Sequence, residues 1–143
     1  MSRFWIGVAA AAHVRRGAES GFVMFAHGRH AAAKRLTPGD FFAYYAPREG
    51  LDEGAPVRAF TAIGRIAPGE PVERQMSEGI SGWSRRRSSS TRQADVYQFL
   101  SQLSFVRNPE HWGMAFRRSL FEVPLADFKL IAAAMGAADK INA

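Results

Sequence analysis

The sequence predicts an α+β fold, a small mixed β-barrel with helices, and three observations indicate it. Several short segments rich in aromatic and β-branched residues, such as 3–8 and 41–46, are typical of strands. Apolar residues at helical spacing recur late in the chain, from Asp95 and again over 124–136. The length of 143 residues suffices for one domain, 1–143, around one core. Short strands around one core favour a barrel.

After the first strand, "RFWIGV", the chain alternates between a helix, strands and turns. The alanines of "AAHVRRGAESG" predict a short helix that Gly17 and Gly21 end. "FVMF" (22–25) reads as a short buried strand. A turn at "TPGD" precedes the aromatic strand "FFAYYA" (41–46), which Pro47 ends.

The middle of the chain predicts two strands and one irregular segment. Residues 57–66 alternate between two faces, which indicates a strand, and 71–76 form a further strand. "SEGISGWSRRRSSSTRQ" (77–93) breaks this pattern and is of low complexity. We expect this segment to be mobile without a partner.

The last third predicts a helix, a single turn, a strand and a terminal helix. Asp95 can cap a helix, whose apolar spacing is carried by Val96, Phe99, Leu100 and Leu103. Asn108 followed by Pro109 favours a single helical turn. Residues 114–123 read as a strand, and 124–136 as a helix that Gly136 ends.

The charge of the chain favours a phosphate-bearing partner. The formal net charge is +6, with 16 arginines and 3 lysines, and the isoelectric point is near 10.5. A basic surface attracts nucleic acid by counterion release, and arginine adds bidentate contacts and stacking. A GC-rich genome would also produce abundant alanine and arginine, so this alternative stays open.

Several classes of protein are disfavoured by the composition. With no cysteine the chain forms neither disulfides nor thiolate sites, which fits a reducing cytoplasm. No apolar run approaches the roughly 18 residues of a membrane span, and the N-terminal residues do not resemble a signal peptide. We therefore expect a cytoplasmic protein without a membrane partner.

Catalytic motifs are missing from the sequence. The four histidines show no metal-ligand spacing, and neither a GxSxG elbow nor a P-loop is present. The few carboxylates fall in loops or near helix starts, and none is paired for acid–base work. The sequence predicts a binding module that needs no metal or cofactor, and not an enzyme.

Six linked blocks resemble one known family. "FWIGVAAAAHVRRG", "GFVMFAHGR", "PGDFFAYYAP", "AFTAIGRI", "HWGMAFRRSLFEV" and "DFKLIAAAMG" are similar, in order and spacing, to the EVE domain family, over roughly residues 3–136. That family belongs to the PUA-like superfamily, with the YTH and ASCH domains. The resemblance implies a pseudo-barrel of five to six strands with flanking helices. It also implies binding of RNA or DNA, with one flipped, modified base held in an aromatic pocket.

The chain departs from the family's usual pattern in three places. Ala10 stands where the first strand commonly runs into a serine, and Ala46 where "YYSP" is common. The basic segment 84–92 lacks the strand-like run that usually follows its arginines. Two small hydroxyls are thus missing from positions expected to line the pocket.

Aromatic side chains supply the candidate walls of such a pocket. Trp5 offers one indole donor, although a core tryptophan is an equal alternative. Tyr44 and Tyr45 are adjacent in a strand and must face opposite sides, so one belongs to the core and the other can face a cleft. Phe105 and Trp112 flank a tight turn, and we expect Trp112 to stack on the base.

A histidine, a glycine and basic side chains complete the predicted site. Gly28 lets the backbone approach a ligand, and His27 can donate or accept a hydrogen bond, or else cap the strand end. The candidate phosphate contacts share a positive charge: Arg29, Lys34, Arg35, Arg85, Arg86, Arg87, Arg117 and Arg118. Arg117 and Arg118 would point opposite ways in a strand, so one of them can serve a given face.

The sequence thus predicts a nucleic-acid-binding module that holds one, modified, base in an aromatic pocket with a basic rim. A module for a small nucleoside-like ligand uses the same pocket without a polymer track. A basic interaction module would dock on an acidic partner. Residue types alone assign neither RNA nor DNA, nor an oligomeric state.

Overall fold

The computed structural model describes residues 2–50, 54–77, 80–90 and 93–141. For 74–77, 80–90 and three single residues (Ser20, His27 and Lys140) it describes the backbone alone. The chain forms a mixed α+β structure in which helices pack on a sheet. No helix of the described part is long and apolar enough to span a bilayer.

Within the described ranges eight strands form the sheet: β1 Phe4–Val8, β2 Phe22–Val23, β3 Phe41–Arg48, β4 Pro56–Ile66, β5 Val72–Ser77, β6 Ile80–Ser90, β7 Ala94–Asp95 and β8 Leu120–Val123. The strand order is β2-β6-β4-β3-β1-β8, while β5 pairs with β6 and β7 with β4. β1 and β3 are parallel, and the other pairs are antiparallel. The pairings of the described residues do not join β2 to β8, and closure into a barrel stays a prediction.

In the part of the chain that the structure describes, four α-helices and three 3₁₀ helices accompany the strands. The α-helices are α1 Ala11–Ser20, α2 His30–Arg35, α3 Leu125–Ala134 and α4 Ala138–Ile141. The 3₁₀ helices are Ala26–Gly28, Val96–Phe99 and Pro109–Phe116. The predicted caps are confirmed, since Asp95 accepts a hydrogen bond from the Tyr97 N–H and Asn108 from the Glu110 N–H.

The strands bury side chains on both faces, so the core has two halves. Alternate residues of β3 divide between them: Phe42 and Tyr44 join one cluster, and Phe41 and Tyr45 join the other. The first cluster also contains Trp5 and residues of α1 and α2, and we call that side the α1 face. The second contains residues of α3 and of the two later 3₁₀ helices, and we call that side the α3 face.

One close approach depends on glycine. Gly7 lies in the middle of β1, and a Cβ built there would be 2.1 Å from Cε1 of Phe25. The ring of Phe25 therefore packs directly on the strand backbone. This contact joins β1 to the segment that follows β2.

The predicted low-complexity break at 77–93 is wrong in its central part. β6 covers Ile80–Ser90 and pairs with β5, β4 and β2 in turn. The hydrogen bonds of a strand come from its neighbours' backbones, so β6 needs no apolar alternation of its own. Residues 78–79 and 91–92 of that segment lie outside the described residues.

Other bounds also differ from the prediction. α1 continues through Gly17 and ends at Gly21, which has a φ of 75°. β3 runs past Pro47, and β2 is two residues long. The predicted strand 114–123 is a strand only from Leu120, because the 3₁₀ helix that begins at Pro109 extends to Phe116.

Candidate functional site

A groove opens on the α3 face where β1 and β3 end and β4 begins. Its volume is about 460 Å³, and it has both aromatic and basic walls. We call it the aromatic groove, and its lining residues are Val8, Tyr45, Pro47, Arg48, Pro56, Arg58, Tyr97, Trp112, Gly113 and Phe116. This volume lies within the roughly 300–1,000 Å³ of small-molecule pockets.

Four rings build the groove from its floor to its rim. Tyr45, 2% exposed, lies at the bottom and stacks on Phe116 at a centroid distance of 4.1 Å. Trp112 is partly buried and meets the rings of Tyr45, Tyr97 and Phe116 edge to face, at 6.3, 5.5 and 6.1 Å. Among the described ring pairs none is stacked on Trp112, so its indole face is not covered by a parallel ring.

Arg58 places a positive charge on the rim. Its Nη1 donates a hydrogen bond of 2.8 Å to the hydroxyl of Tyr97, whose side chain is 49% exposed. The φ of Arg58 is 49°, a left-handed conformation that is unfavourable for a residue with a Cβ. Non-glycine residues in this region cluster at functional sites. Arg48, also exposed, adds a second guanidinium to the rim.

Burial and charge act oppositely on the hydroxyl of Tyr45. Burial disfavours the phenolate, and the nearby Arg58 charge partly offsets this effect, so the pKa of Tyr45 is raised to about 12. At neutral pH Tyr45 is therefore a neutral hydroxyl at the floor of the groove. It can donate a hydrogen bond to a ligand without carrying a negative charge.

A second hollow of about 300 Å³ adjoins the groove, and Trp112 lines both. We call it the side hollow, and its lining residues are Phe105, Val106, Arg107, Asn108, His111, Trp112, Met114 and Ala115. The 3₁₀ helix Pro109–Phe116 is kinked at His111, where φ is −122° and ψ is 41°. This one helix thus supplies walls to both cavities.

Comparison with known proteins identifies the family of this fold. The EVE domain pattern matches residues 3–134. The chain belongs to the EVE domain family. Its relatives include the UPF0310 protein msl3206 of Mesorhizobium japonicum, 40% identical over 140 residues, which are 96% of this chain and 94% of that protein. The UPF0310 protein YdcG of Bacillus subtilis is 35% identical over 136 residues, 94% of this chain and 93% of the other.

Two solved structures share the fold of this EVE domain. Atu2648 from Agrobacterium tumefaciens matches with a TM-score of 0.61 and 12% identity, over 96% of each chain. The N-terminal domain of Staphylothermus marinus McrB matches with a TM-score of 0.56 and 10% identity, over 93% of this chain and 94% of that one. At these identities the similarity concerns the fold alone.

The structure divides the predicted pocket residues of the EVE domain between the two faces of the sheet. Tyr45 and Trp112 line the aromatic groove, and Phe105 lines the side hollow. Trp5 and Tyr44 belong instead to the cluster on the α1 face, 1% exposed each. They are core residues, which corrects their placement in one pocket with Trp112.

The indole N–H of Trp5 has a hydrogen-bond acceptor inside the protein. Its indole Nε1 donates a hydrogen bond of 3.0 Å to the carboxylate of Asp40, and the guanidinium groups of Arg3 and Arg35 lie 5.0 and 4.9 Å from its ring centroid. Burial alone would raise the pKa of Asp40, but hydrogen bonds from Arg3, Thr37 and Trp5 outweigh it and hold that pKa below its usual range.

The segment around His27 also lies on the α1 face. The N–H of Gly28 donates to the carbonyl of Phe25 at 2.9 Å, so this N–H already has an acceptor within the chain. The hydroxyl of Tyr44 bonds the backbone of Met24 nearby. The side chain of His27 lies outside the described part of the structure.

The predicted phosphate contacts are dispersed. Arg29, Lys34 and Arg35 are exposed near α2, on the α1 face, and Arg35 also donates to the carbonyl of Leu120. Arg117 and Arg118 are exposed after the 3₁₀ helix, not in a strand, and Arg118 covers the ring of Phe121 at 4.6 Å. The run Arg85, Arg86 and Arg87 lies in β6, and its side chains are outside the described part.

Of the residues that line the groove, Tyr45 and Trp112 were predicted from the sequence, and the others were not. Tyr97 was detectable, because the helical spacing of Val96 and Phe99 directs it away from the core. Arg48 and Arg58 carry no signal of their own, since both read as loop or strand arginines. Among the described residues, no group of three or more metal-ligating side chains is suited to a metal ion.

Proposed function

We propose that this EVE domain binds nucleic acid by holding one base in the aromatic groove, without catalysing a reaction. The single observation that carries the proposal is the partly exposed indole of Trp112, unstacked on any described ring, beside the exposed Tyr97 and the guanidinium of Arg58. A flat π surface next to a fixed positive charge is what a nucleotide requires, because the base stacks and the phosphate pairs.

Each wall has a part in the proposed complex. Trp112 stacks on the base, a contact worth about 1–3 kcal/mol that tolerates any base. The neutral hydroxyl of Tyr45 and the pair of Arg58 with Tyr97 supply donors at the edge of the base. Arg48 and Arg58 attract the flanking phosphates, in keeping with the net charge of +6.

The proposal extends to the kind of base and to the architecture. A methyl group that enters the apolar part of the groove gains about 0.8 kcal/mol, so a modified base is preferred several-fold without being required. We also propose that the chain forms a PUA-like barrel and acts as one domain. In this proposal the protein is cytoplasmic and has no membrane partner. Membership of the EVE domain family supports it.

One binding panel tests the proposal. Fluorescence anisotropy measures the affinity of matched RNA and DNA oligonucleotides, plain and methylated, at two salt concentrations. We expect Trp112→Ala to weaken binding at least tenfold while its thermal unfolding stays cooperative, because a stacking surface is lost. Wild-type affinity in a folded Trp112→Ala variant would contradict the proposed site.

A pair of charge variants locates the polymer on one face. Arg58→Gln removes a charge from the groove, and Arg29→Gln removes an exposed one from the α1 face. We expect Arg58→Gln to reduce the slope of log affinity against log salt by about one, with Arg29→Gln close to the wild type. A larger effect of Arg29→Gln would move the interface to the α1 face.

The same panel separates the two rival functions. Salt-independent binding of a free nucleoside would indicate a small-ligand module. Salt-dependent binding of RNA that Trp112→Ala leaves unchanged would indicate a basic interaction surface.

A further inference from the structure

Trp112 lines both the aromatic groove and the side hollow, and a single base in the groove does not occupy the side hollow. The aromatic groove takes that base on one side of Trp112, while the side hollow stays open next to it. At about 300 Å³ the side hollow is at the lower end of small-molecule sites. Its size therefore suits a group no larger than a base with its sugar.

The side hollow has the chemistry of a nucleotide site. Phe105, Met114 and Ala115 give it apolar walls, and Met114 is 62% exposed. Arg107 and His111 are exposed on its border and supply polar and cationic groups. Large apolar side chains that stay exposed beside a cleft mark sites of interaction.

The distribution of exposed apolar groups gives an independent indication. Tyr97 and Met114 are two of the large hydrophobic side chains that the described residues expose, and they border the groove and the side hollow respectively. Trp112 contacts the ring of Tyr97 and lines the side hollow together with Met114. Successive bases of a single strand stack on neighbouring aromatic side chains in this manner.

We propose that the side hollow binds the nucleotide next to the base in the aromatic groove, so that the domain recognises at least a dinucleotide, with Trp112 between its two bases. Arg107 contacts the phosphate beside the second base, and Met114 packs on its ring. Side chains inserted between neighbouring bases are a known mode of binding, in which unstacking is compensated by the new contacts. This inference rests on the proposed function.

The test compares ligand lengths. Matched mononucleotides and dinucleotides, ribo and deoxyribo, plain and methylated, are titrated into ¹⁵N-labelled protein while the Trp112 indole N–H is observed by NMR. The Trp5 indole N–H, bonded to Asp40, is the internal control. We expect dinucleotides to bind at least about fivefold more tightly than mononucleotides, because a second base stacks.

Met114→Glu and Met114→Leu form the matched pair of variants. The glutamate places a negative charge in the side hollow, and we expect it to lower dinucleotide affinity to the mononucleotide value without changing mononucleotide affinity. Met114→Leu keeps an apolar side chain and should retain the dinucleotide preference.

The outcomes separate the two proposals. Equal affinities for mononucleotide and dinucleotide in the wild type, with mononucleotide binding intact, would overturn the side-hollow inference alone. A dinucleotide preference that Met114→Glu leaves unchanged would also overturn it. Absence of binding by every probe would overturn both this inference and the proposed function.

Discussion

Trp5 and Trp112 lie on opposite faces of one sheet, and each has aromatic rings and arginines nearby. Trp5 is sealed on the α1 face, where Asp40 accepts its N–H and Arg3 and Arg35 lie near its ring. Trp112 is partly buried on the α3 face, with hollows beside it and edge-to-face contacts only. One tryptophan is thus enclosed and hydrogen-bonded, while the other leaves part of its ring exposed.

The degree to which each tryptophan is enclosed distinguishes a structural aromatic cluster from a candidate binding cluster. On the α1 face, every group that Trp5 offers has a partner within the chain. On the α3 face, Tyr97 and Trp112 expose surface beside the guanidinium of Arg58, which donates to the Tyr97 hydroxyl. Exposed aromatic surface at a cavity therefore indicates the site better than aromatic content does.

Removal of each tryptophan should have the largest effect on the free energy of unfolding, and this effect should differ between the two faces. Trp5→Ala should lower the free energy of unfolding by about 3–5 kcal/mol, because it opens a buried cavity and removes one of the donors to the buried carboxylate of Asp40. Trp112→Ala should cost about 1 kcal/mol, since its side chain is only partly buried. Urea unfolding of both variants measures the difference, and equal losses would remove the distinction between the two faces.

A smaller effect concerns alkaline pH. Because the pKa of Tyr45 is about 12 in the folded protein and its ordinary value is 10.0, folding keeps the proton that the unfolded chain releases. The resulting stability is complete below pH 10 and is lost as the pH rises toward 12. Between pH 9 and 11.5 the wild type should lose about 2 kcal/mol more than Tyr45→Phe.

Urea unfolding at those two pH values checks this prediction, and the phenylalanine variant is its own control because it keeps the ring. Identical losses in the two proteins would show that Tyr45 is hydrated enough to ionise normally. That result would also argue against a dry floor in the aromatic groove.

The smallest expected effect concerns the residue that precedes α1. Ala10 is the N-cap residue of α1, with a φ of −60° and a ψ of 144°, and it makes no side-chain cap. Ala10→Ser should change the free energy of unfolding by no more than about 0.5 kcal/mol, because the Ala12 N–H that a serine cap would bond already donates to the carbonyl of Glu49 at 3.0 Å. Thermal unfolding measures it, with Ala9→Ser as the matched control.

Binding by the Ala10→Ser protein then tells the role of the missing hydroxyl. Increased stability with unchanged oligonucleotide affinity would assign that hydroxyl to the helix. Increased affinity without a change in stability would assign it to the ligand.

Much of the fold followed from local pattern, and the exceptions have physical causes. β4 and α3 were predicted because their apolar spacing has one dominant period. β6 was missed because its residues lack apolar alternation, while its backbone pairs with the neighbouring β5 and with the more distant β2 and β4. α2 was missed because six residues are too few to show periodicity.

The candidate site was less predictable than the fold. Trp112 was expected as a stacking surface because a tight turn rarely buries a tryptophan, and the structure places it beside the groove. His27 and Trp5 were predicted to share a pocket with Trp112. The sequence shows which residues lie near basic residues along the chain, but it does not show which face of the sheet a side chain such as Trp5 occupies. Arg58 has a left-handed backbone conformation, which no residue pattern in the sequence predicts.

The position of β1 has a consequence for synthesis. This N-terminal strand pairs with β3 on one side and with β8, residues 120–123, on the other. A nascent chain emerging from the ribosome can join β1 to β3 early, but the second edge of β1 stays unpaired until residues 120–123 have been translated. During that interval the exposed edge is the part of the molecule most open to mispairing, and premature termination before residue 120 would leave it so permanently.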